Sequence, residues 1–317
     1  TGETKRLFMC GTITTIINII GIIIGVFLIS IGGVYIYGRH IYNKVEKVEV
    51  DKEEVGITEE VEEKLSPYNN SVINIALFGV DSHDGSTGRS DSIIIATIDT
   101  IHKKLKLTSI MRDSYVNISG IGNDKINHAY AFGGPQLAIK TLNENFDLNI
   151  QDFVAVNFDS LPKIIDMLGG VTVDVTEEEV SHISGINSAG TYNLTGAQAL
   201  AYSRIRYATG GDYVRTERQR TILTKMYEKI LSINPTQYTS LLSEGLSMLQ
   251  TSLDYSKILE LGTEVLKMGV TTLEQERFPL DGYCQGEIIN GVYYLIFNKS
   301  LTVEQLYNYI FKDVKKW

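Results

Sequence analysis

Val72–Asp81 reads VINIALFGVD, and two further runs follow it closely, SIIIATI over residues 92–98 and LKLTSIM over residues 105–111. The first two are apolar almost without interruption. That is the pattern of strands covered on both faces, since a strand with one face in water alternates apolar and polar residues. A polar, glycine-containing loop, SHDGSTGRS, joins the first run to the second through Asp91, and Asp99 to Lys104 joins the second to the third. An up, down and up pairing of the three runs is one arrangement that such connections allow. The end of the first strand, the start of the second and the end of the third then share one sheet edge. That edge carries Asp81, Arg89, Asp91 and Arg112. Polar residues gathered where strands end are what a site on an α/β scaffold uses.

Downstream, DKINHAYAF leads to Gly134-Pro135, with the proline placed for the first turn of a helix running through Leu142. DFVAVNF follows as a strand. Residues 161–168 read as a helix with Pro162 in its first turn, stopped by Gly169-Gly170 before the strand VTVDV. Past Ile233 the pattern predicts helices over 238–249 and 255–268, extended chain around 276–280 and 292–297, and a last helix to Phe311. No linker separates this part, which reads as completing the same domain. The alternation indicates an α/β fold, a three-layer α-β-α sandwich around a central mixed sheet.

Upstream, residues 13–37 carry no charge, and their length exceeds the roughly 20 residues that cross a bilayer. With no small-residue cleavage site behind it, this run reads as one uncleaved N-terminal transmembrane helix. Lys5 and Arg6 before it, against Arg39, Lys44 and Lys47 after it, leave its orientation open. Between Lys44 and Lys64 stand nine acidic and four basic residues, so this stretch supplies −5 of the net −9 and the acidity says little about the ligand. The expected organisation is a tail (1–12), the span (13–37), a charged stalk (38–70) and a folded domain (71–317). Cys10 and Cys284 lie on opposite sides of the span, which excludes an intradomain disulfide, a thiolate zinc site and a CxxC redox motif.

Five of the ten arginines, Arg204, Arg206, Arg215, Arg218 and Arg220, fall within seventeen residues, RIRYATGGDYVRTERQR, where the rest of the chain uses lysine. Lysine would serve for general surface charge. Clustered arginine points to the planar fork that binds carboxylate or phosphate bidentately. Thr195 and Gln198 form a T-x-x-Q capping box opening a short helix, with Arg204 and Arg206 at its exit. After Gly210-Gly211, Asp212 is placed to N-cap a second helix whose apolar stripe is Ile222, Met226 and Ile230. Arg215 and Gln219 project from that stripe, Arg218 flanks it, and Glu217 and Arg220 point away. Inward-facing Arg215 and Gln219 need a partner. A phosphate at the helix N-terminus would provide one.

Asp81 and Asp91 are candidate Mg²⁺ ligands, because this ion takes a few carboxylate oxygens, keeps several waters and bridges to phosphate. With Arg89 and Arg112 they make the parts that phosphoryl transfer requires: metal, guanidiniums for developing charge, and a carboxylate for the acceptor proton. Asp212 is placed either as that base or as a helix cap.

NIALFGVD, GRSDSI, SIMRDSYV, KINHAYAFGG, LGGVTVDV, LTGAQALAYSRIR and GDYVRTERQ, in this order behind an apolar span, resemble the LytR-CpsA-Psr (LCP) family. The likeness is close over residues 72–232 and looser to Trp317. It implies an extracytoplasmic enzyme that moves a glycopolymer from a polyprenyl-pyrophosphate carrier onto peptidoglycan, as in attachment of teichoic acid or capsule. It also implies Mg²⁺, with Mn²⁺ as an alternative, at Asp81 and Asp91. Arg89, Arg112, Lys125, Arg204, Arg206, Arg215 and Gln219 would line the pyrophosphate site, with Arg112, Arg204, Arg206 and the base Asp212 catalytic. The resemblance implies a cytoplasmic N-terminus in a single-pass cell-membrane protein of Gram-positive type. Val214 stands where the family commonly has glycine, which bears on the mobility of the turn before Arg215.

Two other readings use the same residues. In one, water is the acceptor and the protein is a polyprenyl-pyrophosphate pyrophosphatase. In the other it is a non-catalytic, membrane-anchored module binding envelope lipid or polymer, to which a transcription-attenuator label has been attached. A nucleic-acid partner is not expected, since about a dozen residues before the span leave no seat for a helix-turn-helix. A lipid substrate needs an apolar slot as well, but Ile164, Ile165 and Leu168 read as ordinary core.

Overall fold

The computed structural model describes residues 38–40, 42–81, 88–206, 211–233, 241 and 244–315. The apolar stretch 13–37 and the tail before it lie outside the described residues, as does most of the helix expected at 238–249. Among the described residues no helix is long and apolar enough to cross a membrane. The chain divides into two units, Thr1–Lys44 and Val45–Trp317, and every element named below belongs to the second.

The strands of that unit are β1 (Glu46–Lys47), β2 (Val72–Asp81), β3 (Arg89–Asp99), β4 (Lys104–Ile110), β5 (Tyr115–Ile118), β6 (Gly122–Lys125), β7 (Asp152–Asn157), β8 (Val171–Val175), β9 (Gly190–Leu194), β10 (Leu249–Thr251), β11 (Leu273–Phe278), β12 (Cys284–Ile289) and β13 (Val292–Phe297). The helices are α1 (Glu59–Leu65), α2 (His128–Phe146), α3 (Leu161–Met167), α4 (Glu177–Val180), α5 (Gly196–Arg204), α6 (Gly211–Ser232), α7 (Tyr255–Met268) and α8 (Lys299–Phe311). α2 breaks at Gly133 and Gly134, and Pro135 starts its second part.

A seven-stranded mixed sheet in the order β1-β10-β7-β2-β3-β4-β11 forms the centre. β2, β3 and β4 run antiparallel to one another, while β7 joins β2, and β11 joins β4, in parallel. Side chains alternate across β2. Ala76, Phe78 and Val80 enter a core with Ile139, Leu142 and Phe146 of α2 and Leu306 and Tyr309 of α8. Ile75 faces the other way, into a cluster with Leu261 of α7. Both faces of the sheet are therefore covered by helices, which is why β2 and β3 are apolar throughout rather than alternating.

Two expectations are corrected. Residues 45–70, read as a solvated stalk, are part of the fold: β1 pairs with β10, and Val55, Val61 and Leu65 are buried in the main core. Their charges sit on the outer side of α1, whose inward positions are Val61 and Leu65. Helix was also expected as far as Leu249, which instead begins the strand β10 between β7 and β1.

α3 and α5 bring the arginine-bearing segment to the sheet. Gly196 permits the approach, since a Cβ there would stand 2.0 Å from the carbonyl oxygen of Pro162. Its amide donates to Asp166 Oδ1 at 2.7 Å, fixing the start of α5 against α3. Thr195 and Gln198 close the expected capping box.

Candidate functional site

The site begins at the sheet edge where β2 ends and β3 starts. Asp81 and Arg89 are cross-strand partners there. One step inward the pairing slips from Gly79↔Ser92 to Val80↔Ser90, leaving Asp91 as the extra residue of a β-bulge. Such bulges re-aim side chains beside functional sites. Asp91 meets Arg112, the second residue after β4, with Arg112 Nη1 at 2.9 Å from Asp91 Oδ2. Asn127 Nδ2 donates to the other carboxylate oxygen at 3.2 Å. The backbone of Arg112 is held as well, because its carbonyl accepts from Asn127 N at 3.2 Å.

Helices α5 and α6 supply the opposing side. Arg204 Nη2 lies 3.6 Å from Asp81 Oδ1, and Arg206 Nη2 lies 3.8 Å from Asp91 Oδ2. Arg215 Nη2 is 2.9 Å from Asp212 Oδ1, to which Arg112 Nη2 also points at 3.8 Å. Lys125 joins through Asp113, its Nζ 2.8 Å from Asp113 Oδ1, while Arg112 Nε is 3.5 Å from Asp113 Oδ2. Asp91, Arg112, Asp113, Lys125, Arg206, Asp212 and Arg215 thus form a connected set of ion pairs, and the pair of Asp81 with Arg204 stands beside it at the same sheet edge. Arg89 adjoins it by strand register, and buried Gln219 follows Arg215 by about one turn of α6.

This set carries guanidinium capacity that the protein itself does not use. Arg215 is almost fully buried, with its Nε unpaired among the described residues, and Asn127 Oδ1 is buried and unpaired too. Burial pushes the Arg215 pKa down to about 10; Asp212 opposes the shift and the cations Arg112 and Arg206 add to it. Burial also works against the charges of Arg112 and Asp91, but their attraction to each other and to their neighbours overcomes it. Arg112 stays above its ordinary value and Asp91 below. An anion bound among these arginines would relieve the crowding on Arg215 and occupy the orphaned donor.

An apolar cavity of about 370 Å³ adjoins the arginines. Leu77, Ile94 and Val156 of the sheet, Ile164 of α3 and Ile222 and Met226 of α6 line it. Phe158 and Gln219 also lie on its wall, and the Arg204 guanidinium sits 4.8 Å from the centre of the Phe158 ring. One aromatic residue therefore touches both the charged centre and the hydrocarbon space. Ile164 and Leu168, read from sequence as ordinary core, are cavity wall, whereas Ile165 is core.

The LytR_cpsA_psr family profile matches residues 35–310. The chain belongs to this family. Among LytR_cpsA_psr relatives, one from Oceanobacillus iheyensis named polyisoprenyl-teichoic acid–peptidoglycan teichoic acid transferase TagU is 34% identical over 293 residues, 87% of each chain. A solved structure titled TagT bound to LIIa-WTA superposes with a TM-score of 0.63 at 29% identity, covering 77% of this chain and 91% of that one. Another, titled as the LytR-CPS2A-psr family protein YwtF (TagT) with bound octaprenyl pyrophosphate lipid, gives 0.59 at 28% identity, covering 76% and 91%.

Within this LytR_cpsA_psr site, two sequence expectations are corrected. Asp212 is not the N-cap of α6 but lies in its first turn, bonded to Arg215. Arg220 does not point away: it is buried, with Nη1 2.7 Å from Ser109 Oγ of β4, because α6 packs against the sheet on one side and the cavity on the other. Arg218, placed by the sequence only beside the stripe, gives its fork to a carboxylate within the protein: Glu179 Oε1 accepts from its Nε at 2.6 Å and Ile205 O accepts from Nη1 at 3.2 Å. Val214 lies inside α6, where a β-branched residue is accommodated. Asn127 and Asp113 were missed, although both stand in the quoted motifs KINHAYAFGG and SIMRDSYV; nothing in composition separates them from ordinary turn residues.

Among the described residues no three acidic, histidine or cysteine side chains gather as a preformed metal cage. Asp81 and Asp91, at neighbouring strand ends, offer two carboxylates, each already facing a guanidinium. Such a donor set fits Mg²⁺, which takes one or two carboxylates and completes its shell with water and substrate phosphate.

Proposed function

We propose that this protein is a phosphotransferase that moves an anionic glycopolymer of teichoic-acid or capsule type from a polyprenyl-pyrophosphate carrier onto peptidoglycan. In this reading residues 13–37 anchor it in the cell membrane with the N-terminus cytoplasmic and the domain on the outer face. The observation that carries the proposal is Arg204 lying over Phe158, the junction of a guanidinium cluster with an apolar cavity. That junction fits an amphiphile with a pyrophosphate head and a hydrocarbon tail. Neither a soluble phosphate ester nor a plain lipid would use both halves. The names of the relatives support the same substrate class.

The geometry suits a phosphoryl transfer in which the protein positions and neutralises rather than reacts covalently. Arg112, Arg204, Arg206 and Arg215, with Arg89, Lys125 and Gln219, would grip the pyrophosphate oxygens. The acceptor hydroxyl oxygen forms a bond to the phosphorus next to the sugar, and the bridging P–O bond breaks. Polyprenyl phosphate leaves with that electron pair, and the hydroxyl proton passes to Asp212. In the ligand-free arrangement Asp212 is counter-ion to Arg215 and Arg112. A pyrophosphate that takes over those guanidiniums would free the carboxylate to act as base. Asp81 and Asp91 would hold Mg²⁺, which when bound neutralises charge on phosphate oxygens.

The test uses the purified protein in detergent with a polyprenyl-pyrophosphate glycan, peptidoglycan fragments and Mg²⁺, alongside Arg206→Ala and Asp81→Ala. Glycan on peptidoglycan with wild type, and at least 100-fold less with either variant, is the expected result. Phosphate release without transfer would make water the acceptor and replace this reading with a pyrophosphatase. Lipid binding with neither product would leave a binding module.

A further inference from the structure

The hairpin β12–β13 stands beside the charged centre and has no part in the chemistry above. Leu295 N donates to Asp113 O at 2.8 Å, and Ser114 forms a parallel bridge with Leu295, so the hairpin is tied to the residues that follow Arg112. It is tied to α6 as well, with the Tyr213 hydroxyl, next to Asp212, 3.6 Å from Cys284 Sγ. Pairing of Cys284↔Phe297, Gly286↔Leu295 and Ile288↔Tyr293 puts these residues on one face of the hairpin.

On that face the ring of Tyr293 lies over Gly286. A Cβ on Gly286 would come within 2.5 Å of Tyr293 Cε2 and 2.8 Å of its hydroxyl oxygen, so the missing side chain is what makes room for the ring. Tyr293 is nonetheless 46% exposed, and Ile288 and Val292 beside it are exposed too. Lys125 Nζ is 5.8 Å from the ring centre and ion-paired to Asp113, itself in charge contact with Arg112. Burial, then Asp113 and Asp212, raises the pKa of the Tyr293 hydroxyl, in keeping with a ring close to both carboxylates. An open aromatic surface backed by Gly286 therefore stands beside Lys125 and Asp113 at the margin of the charged centre.

We propose that Tyr293, supported by Gly286, is the platform on which a pyranose ring of the acceptor glycan stacks. The inference rests on the transfer reading of the site given under Proposed function. A pyranose presents a face of C–H groups, apolar and slightly positive, that matches the negative face of an aromatic ring. Transfer to one hydroxyl among many needs the sugar held beyond that hydroxyl, because orientation supplies much of the rate. The hydrocarbon tail does not compete for the ring: no hairpin residue lines the apolar cavity. The shelf is left to the second substrate.

The experiment titrates a β-1,4-linked N-acetylhexosamine oligosaccharide against the protein in detergent, following tyrosine signals by NMR, and measures acceptor and donor KM in the transfer assay. Tyr293→Ala is expected to weaken oligosaccharide binding and raise acceptor KM by about five- to ten-fold, with donor KM unchanged. Tyr293→Phe, which keeps the ring, should restore both, and Gly286→Ala, which displaces it, should resemble Tyr293→Ala. Oligosaccharide affinity unchanged by Tyr293→Ala overturns the platform even if transfer proceeds. Affinity lost in Tyr293→Ala while the wild type transfers nothing overturns the transfer reading and leaves the sugar site standing.

Discussion

Arg112 Nη1 lies 2.9 Å from Asp91 Oδ2, joining the bulge of β3 to the residues after β4, with both side chains mostly buried. The pair is the fixed point of the site: Arg206 and Asn127 address the same carboxylate, and Asp113 and Asp212 the same guanidinium. Two strand ends and two helices converge on it.

Asp91→Asn tests that convergence through pH. Burial raises the Asp91 pKa, but Arg112, Arg215 and the hydrogen bonds from Arg112 and Asn127 lower it further, to below 3.8. Ionised Asp91 therefore stabilises the fold fully above about pH 4, and this contribution disappears as pH falls through the lower folded-state value. Asn leaves Arg112 without its nearest counter-ion, at a cost of about 3 kcal/mol at pH 7. Urea unfolding should show a large gap between wild type and variant at pH 7 that narrows below pH 4. A gap of the same size at both pH values would place the stabilisation elsewhere.

Glu179 and Arg218 make a second buried pair, and its purpose is read from what it grips. Glu179 Oε2 accepts from Thr176 N at 2.8 Å, Oε1 binds Arg218, and Arg218 holds the carbonyl of Ile205, the residue between Arg204 and Arg206. Arg218→Met should lower stability by about 3–5 kcal/mol, because it strands a buried carboxylate. The double change Arg218→Met with Glu179→Leu should recover most of that stability while donor KM stays raised. Recovery of KM along with stability would show that the pair does not position the two arginines.

Much of this architecture is legible in the sequence, for reasons that differ by element. β2 and β3 announce themselves because burial on both faces leaves an uninterrupted apolar run. The edge carrying Asp81, Arg89, Asp91 and Arg112 follows once β2, β3 and β4 pair as up, down and up, which the structure bears out. β1 and β10, of two and three residues, are too short to show a period, and only their tertiary pairing defines them. The cavity has no sequence signature either, since Ile164, Leu168 and Ile222 are the residues a filled core would use. Arg220 escapes a single-stripe reading because α6 buries two sides, and the second side carries this residue to Ser109.

The cavity makes its own prediction. Ile164 lines the cavity and, among the described residues, no arginine does, so Ile164→Trp adds bulk to the hydrocarbon space rather than to the charged centre. With a void to receive the added bulk, the stability change should not exceed the roughly 1–3 kcal/mol of an ordinary small-to-large substitution. Retention of octaprenyl pyrophosphate by the purified protein, read by native mass spectrometry, should fall at least ten-fold, while binding of inorganic pyrophosphate is preserved. Equal loss of both ligands would mean that the tail does not occupy this space.

Asp81 bears on the metal. It ends β2 with its side chain about two-fifths exposed, and Arg204 at 3.6 Å is a loose partner. An exposed pair of this kind contributes about 0–1 kcal/mol, so Asp81→Asn should leave folding nearly intact. If Asp81 and Asp91 hold Mg²⁺, the variant should need about ten-fold more Mg²⁺ for half-maximal transfer and lose activity at lower chelator concentration than wild type. Direct calorimetric titration of Mg²⁺ in the presence of a non-transferable pyrophosphate analogue gives the same comparison without turnover. An identical Mg²⁺ requirement in the two proteins would take Asp81 out of the metal shell and leave it as the counter-ion of Arg204.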